Sequence, residues 1–148
     1  MKKLKAASKA LEYKSFRKED AELRAASARR RLSEEEQELA SIEETLARTV
    51  DMLRGGKGGS IMNVHEFELV HNYCLHLGGR ADTQRARKEQ SVRELAETQA
   101  ALVEAHREAR LLETLVERLG RERRKKADAA DQKEADALYL SRRPNDEA

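Results

Sequence analysis

The stretch from Leu95 to Arg143 holds no proline and a single glycine, and its apolar residues keep a spacing that few structures can use. Leu95, Leu102, Ala109 and Val116 recur every seven residues, and Thr98, Ala105, Leu112 and Leu119 each follow three behind. This is the a/d pattern of a coiled coil. A stripe that narrow buries nothing on a lone helix, so a second helix must cover it.

The first part of the chain supplies that helix. From Lys2 to Arg54 the same spacing runs through Leu4, Leu11, Lys18, Ala25, Leu32, Leu39, Leu46 and Leu53. Ala7, Lys14, Ala21, Ala28, Glu35, Ile42 and Thr49 are the companions. Alanine lets helix backbones approach closely, while Lys14, Lys18 and Glu35 interrupt the seam, and such residues fix register at a cost in stability. Gly55-Gly56-Lys57-Gly58-Gly59-Ser60 ends this arm, since each glycine costs about 1 kcal/mol against alanine in a helix. Lys57 among glycines does not make a phosphate loop: the G-x-x-x-x-G-K-[ST] pattern and a preceding buried strand are both missing. Asn63 with Glu66 three residues on resembles a capping box and marks the start of the second arm. Phe67, Cys74 and Ala81, with Val70 and Leu77, carry the seam of that arm back toward the tip. Gly78-Gly79 is expected to weaken or kink it, and the polar seam residues Gln84, Lys88 and Ser91 mark its softest part.

The expected fold is therefore all-α: two long helices in an antiparallel coiled-coil hairpin, the second longer and protruding at its C-terminal end. The chain reads as one domain over 1–148, with an arm at 2–54, a glycine-rich tip at 55–62, an arm at 63–143 and a tail at 144–148, where Pro144 stops the helix. The short connection makes the arms antiparallel and sets Leu4 near Glu113. At about 1.5 Å per residue the paired shaft is roughly 80 Å long, and the residues after about Val116 overhang by roughly 40 Å. In that overhang a basic run, Arg121 to Lys126, precedes an acidic one, Asp128 to Asp136.

Composition narrows the function. With aromatics at 3%, no tryptophan and 39% of residues charged, the chain lacks the bulky side chains of a wide globular core. No catalytic residue is expected, because without a pocket nothing shifts a carboxylate toward acid or base work. His65, His71, Cys74 and His76 are the one cluster of metal-ligand types, yet His71 and Cys74 share a helix face that His76 does not; no metal and no cofactor are expected. Lone Cys74 cannot form an internal disulfide and fits a reducing compartment. The 30 basic and 28 acidic residues interleave to a net charge of +2, which favours solvated helix faces over nucleic-acid binding. Arg29-Arg30-Arg31 and Arg121 to Lys126 lack a groove-reading motif or a stacking platform. No stretch approaches the roughly 20 apolar residues of a membrane span, so no direct membrane insertion is expected.

The layout resembles the flagellar type III export stalk family (FliJ), with the injectisome stalk as a more distant relative. Glu66-Phe67-Glu68-Leu69 to Tyr73 and Leu77 look like the family's tyrosine-bearing segment. Leu112-Glu113-Thr114-Leu115-Val116-Glu117-Arg118, then Gln132-Lys133-Glu134-Ala135-Asp136, are similar to its leucine and Glu-Arg segment and its Gln-Lys-Glu-x-Asp ending. The resemblance implies a cytoplasmic stalk, peripheral to the inner membrane beneath the flagellar base and monomeric when free. It would insert its terminal end in the hexameric export ATPase and stimulate it, while the tip end would meet the export gate membrane protein and export chaperones. On that reading Arg118, Arg121, Arg123, Arg124, Lys125, Lys126, Gln132, Lys133, Glu134 and Asp136 contact the ATPase ring. Phe67, Val70, His71, Tyr73 and Leu77 contact the gate or chaperones. The alternative is a structural or tethering coiled coil, or the injectisome equivalent.

Overall fold

The computed structural model of the chain describes residues 2–55 and 63–142. Within them lie two helices, α1 (Lys2–Leu53) and α2 (Val64–Arg142). The rest of the glycine-rich tip, with Lys57, and the chain after Arg142, with Pro144 and the tail, lie outside the described residues.

The seven-residue spacing sets what is covered. Every seam position of α1, from Leu4 to Leu53 and from Ala7 to Thr49, is buried or partly buried, as is every seam position of α2 from Val70 to Leu119. Phe67 is the exception, 47% exposed. The buried set is small in volume: Ala7, Ala25, Ala81 and Ala109 beside Leu39, Ile42 and Leu77. Alanine at these positions brings the backbones close, so a thin seam suffices where a broad core would need aromatic residues.

The contacts fall into two compact units, one holding α1 up to Asp20 with α2 from Val103 on, the other Ala21 to Leu102. In the second, Leu39, Ile42 and Ala81 form the apolar cluster. Buried Gln84 donates from Nε2 to the Glu35 backbone oxygen at 3.0 Å and to the Glu35 carboxylate. Ion pairs Arg80–Glu38 (3.3 Å), Arg85–Glu43 (3.2 Å) and Arg31–Glu94 (3.5 Å) flank it. In the first unit Lys14 Nζ donates to Glu108 Oε2 at 2.8 Å. That hydrogen bond and the Lys14 charge hold the Glu108 carboxyl below its ordinary value. In both units later residues of α1 meet earlier residues of α2, which is antiparallel pairing.

These pairs agree roughly with the expected stagger. Leu4 shares a groove with Leu112 and Leu115, on either side of Glu113, and Glu35 meets Gln84 as Glu38 meets Arg80; Lys14 meets Glu108 about one helical turn beyond its expected place. Periodicity chooses the face of each helix, but the seam's polar groups choose the axial position, because a buried amide such as that of Gln84 costs about 1–3 kcal/mol if left unpaired. The fully exposed part of α2 begins at Arg121, with Leu119 and Gly120 still partly covered, instead of just after Val116.

The helix ends follow from their residues. Gly55, at φ +92°, takes the left-handed conformation that a side chain disfavours, and its N–H donates to the Met52 carbonyl at 3.3 Å to close α1. Asn63 Oδ1 accepts from the Glu66 N–H at 2.8 Å and caps α2. Gly78 and Gly79 do not interrupt α2. Leu77 and Ala81, each 1% exposed, hold the helix in the seam on either side of them.

Candidate functional site

Two surfaces hold the residues that the sequence singled out. The first is the end of α2. From Arg121 to Arg142 the helix is intact and every residue exposed. A step of about 100° per residue sends Arg118, Arg121, Arg123, Arg124, Lys125 and Lys126 around the whole helix circumference. Arg118 Nε lies 4.0 Å from Glu122 Oε1, and Gln132 Nε2 donates to Asp136 Oδ1 at 3.1 Å. Exposed pairs one turn apart contribute about 0.2–0.5 kcal/mol, too little to withhold these groups from a partner. Lys133 and Glu134 are exposed beside them.

The second surface is the start of α2. Phe67 and His71, one turn apart, stack with centroids 6.2 Å apart and ring planes at 5°. Tyr73 is exposed, as are Val64, Leu69 and Leu75. Val70 is partly buried. Leu77, fully buried in the seam, has no surface to offer and anchors the segment from beneath. Phe67, His71 and Tyr73 are the members of the expected contact set that reach solvent. Val64 and Leu75 lie on the face of Phe67 and His71, with Tyr73 on the other side of the helix, and were not singled out; the signal for both is a large apolar residue off the seven-residue register, where a coiled coil is normally polar.

The aromatic residues share one pattern. Tyr13, Phe16, Phe67, Tyr73 and Tyr139 are all exposed, so no aromatic side chain is buried in the seam, not even Phe67 at its seam position. Lys14 and Arg17 each lie 5.9 Å from the Tyr13 ring centroid. Among the described residues no three His, Cys, Asp or Glu side chains are placed to hold a metal ion, and no helix is long and apolar enough to cross a membrane.

The family model described as the flagellar FliJ protein matches residues 6–145, nearly the whole chain. The chain belongs to the FliJ family. No curated protein and no solved structure matches it. Membership makes it a stalk component of flagellar type III protein export, associated with the export apparatus. FliJ proteins form a structural family and not one of known enzymes. The antiparallel hairpin with its longer second helix is the form expected of such a stalk.

Proposed function

We propose that this FliJ-family chain inserts the bare end of α2 in the hexameric export ATPase and raises its hydrolysis rate, while the start of α2 meets the export gate and export chaperones. It would work in the cytoplasm, at the inner face of the membrane beneath the flagellar base. The observation that carries this reading is the overhang from Arg121 to Arg142, a continuous helix with every residue exposed. A helix ringed by cations presents similar charge to an enclosing pore at many rotational settings. Exposed ion pairs contribute about 0–1 kcal/mol each and are screened by salt, so the grip is weak and compatible with relative motion. Gln132, Lys133, Glu134 and Asp136 add directional hydrogen bonds further along. At the other end Phe67 and His71, with Val64 and Leu75 on the same helix face, and Tyr73 on another face supply exposed aromatic and apolar surface for a protein contact.

The test measures ATPase rate against added chain at two ionic strengths. Truncation after Leu119 leaves the seam positions in place and is expected to abolish stimulation, which in the full chain falls as salt rises. Full stimulation by the truncated chain would remove the overhang from the ring.

A further inference from the structure

Within the unit that pairs the first turns of α1 with α2 beyond Val103, a groove of about 990 Å³ runs between the two helices. Its floor is apolar: Leu4 and Ala7 from α1 face Leu112, Leu115 and Leu119 from α2, with exposed Ala6 at its edge. Its rim is cationic. Lys3, Arg118, Arg123 and Lys126 stand around it against one carboxylate, Glu122, which already lies beside Arg118.

The seam register passes straight through this groove and changes character there. Val116 and Leu119 are followed at the next a and d positions by Arg123 and Lys126, exposed cations for which no partner is found among the described residues. A coiled-coil stripe that turns from leucine to arginine asks for a covering helix that turns from apolar to acidic.

We propose that this groove docks an acidic amphipathic helix of a partner protein. Apolar residues of that helix would sit over Leu112, Leu115 and Leu119, and its carboxylates would face Arg123, Lys126 and Lys3. From Leu112 to Lys126 the groove accommodates about four helical turns, a typical length for a helix held by its i, i+3, i+4 and i+7 anchors. An anionic lipid surface shares the charge preference but not the shape. Leu4, Leu112, Leu115 and Leu119 are recessed and partly buried, whereas membrane binding needs a protruding apolar face that reaches the acyl region.

The proposal reaches beyond the ring contact, although the two share Arg118, Arg123 and Lys126. Ala6 separates them, being exposed, in the groove and outside the ring set. The experiment titrates the full-length chain with three synthetic helical peptides of about four turns. One has a leucine stripe flanked by glutamates, one the same stripe flanked by lysines, and one the acidic composition scrambled. Phosphatidylglycerol vesicles form a fourth arm. The acidic amphipathic peptide is expected to bind, more weakly as salt rises, and the lysine and scrambled peptides at least about tenfold less well. R123E/K126E and A6E, both at exposed positions and checked for unchanged helicity, each lower its affinity about tenfold or more. A6E keeps its stimulation of the export ATPase, so a failure of the groove is distinguishable from a failure of the ring contact. Equal binding of the acidic and lysine peptides, or indifference to A6E, overturns the proposal. Binding to the vesicles without binding to the acidic peptide overturns it in favour of a membrane.

Discussion

The contact between Gln84 and Glu35 is the best place to test how this hairpin chooses its stagger. Gln84 is 3% exposed, and its amide reaches both the Glu35 backbone oxygen and the Glu35 carboxylate. A hydrogen bond to a charged group contributes about 1.5–3 kcal/mol. Glu35 is only partly buried and regains water when its partner is lost, so Gln84→Ala is expected to cost about 1–2 kcal/mol. Glu35→Ala leaves the bond to the backbone oxygen and costs about 1 kcal/mol. Because both variants break the same side-chain contact, the double variant costs less than the two single costs together by about 1 kcal/mol. Replacing both residues by leucine removes the polar groups along with the need to pair them, and is nearly neutral in stability. It also removes the constraint on axial position. Urea titrations followed by far-UV circular dichroism give the energies. Spin labels at Glu38 and Arg80, which face each other in the parent chain, report the stagger. The expected result is one short distance in the parent and a broadened distribution in E35L/Q84L. Strict additivity of the single variants, or an unchanged distance in the double-leucine chain, would refute the claim that this pair sets the register.

Other consequences are open to measurement. Leu39→Ala, in the buried cluster with Ile42 and Ala81, should cost about 2–3 kcal/mol and Leu46→Ala, only partly buried, about half that; equal losses in a thermal melt would contradict the burial. An added Cβ at Gly78 or Gly79 meets nothing within 4 Å, so Gly78→Ala and Gly79→Ala should each stabilise by about 0.5–1 kcal/mol, and a drop in melting temperature would point to a contact requiring glycine. Lys14 lowers the Glu108 carboxyl, so their bond contributes fully above the ordinary carboxylate range and is lost as pH falls through the lowered value. The melting-temperature advantage of the parent over Lys14→Met should therefore shrink on the acid side; an advantage that grows with acid would reverse the sign.

The faces of both helices were legible in the sequence because a seven-residue repeat is a statement about direction. Leu39, Ile42, Ala81 and Ala109 are buried where that repeat puts them. The helix ends were legible too, Asn63 as a cap and the glycine run from Gly55 as a stop, although the left-handed turn at Gly55 appears only in the structure. The stagger was legible only roughly, from the shortness of the tip. Lys14 and Glu35 were expected to fix register, but their partners Glu108 and Gln84 appear only once the two helices are set side by side. Leu77 illustrates a different limit: the same residue satisfies the seam and the family's tyrosine-bearing segment, and burial decides for the seam. The groove beside Leu4 was hidden because neither helix contains it; it exists only once the stagger is known.

The outward placement of the aromatic side chains also decides what light can report. The chain has no tryptophan, and Tyr13, Tyr73 and Tyr139 all stand in solvent. Unfolding moves none of these rings out of a dry interior, so the melting of this hairpin is nearly silent in tyrosine emission and must be followed through the backbone. Docking does the reverse. A partner that covers the first turns of α1, the start of α2 or the last turns of α2 desolvates a different phenol, and a chain keeping one tyrosine at a time becomes a label-free reporter of which station is occupied.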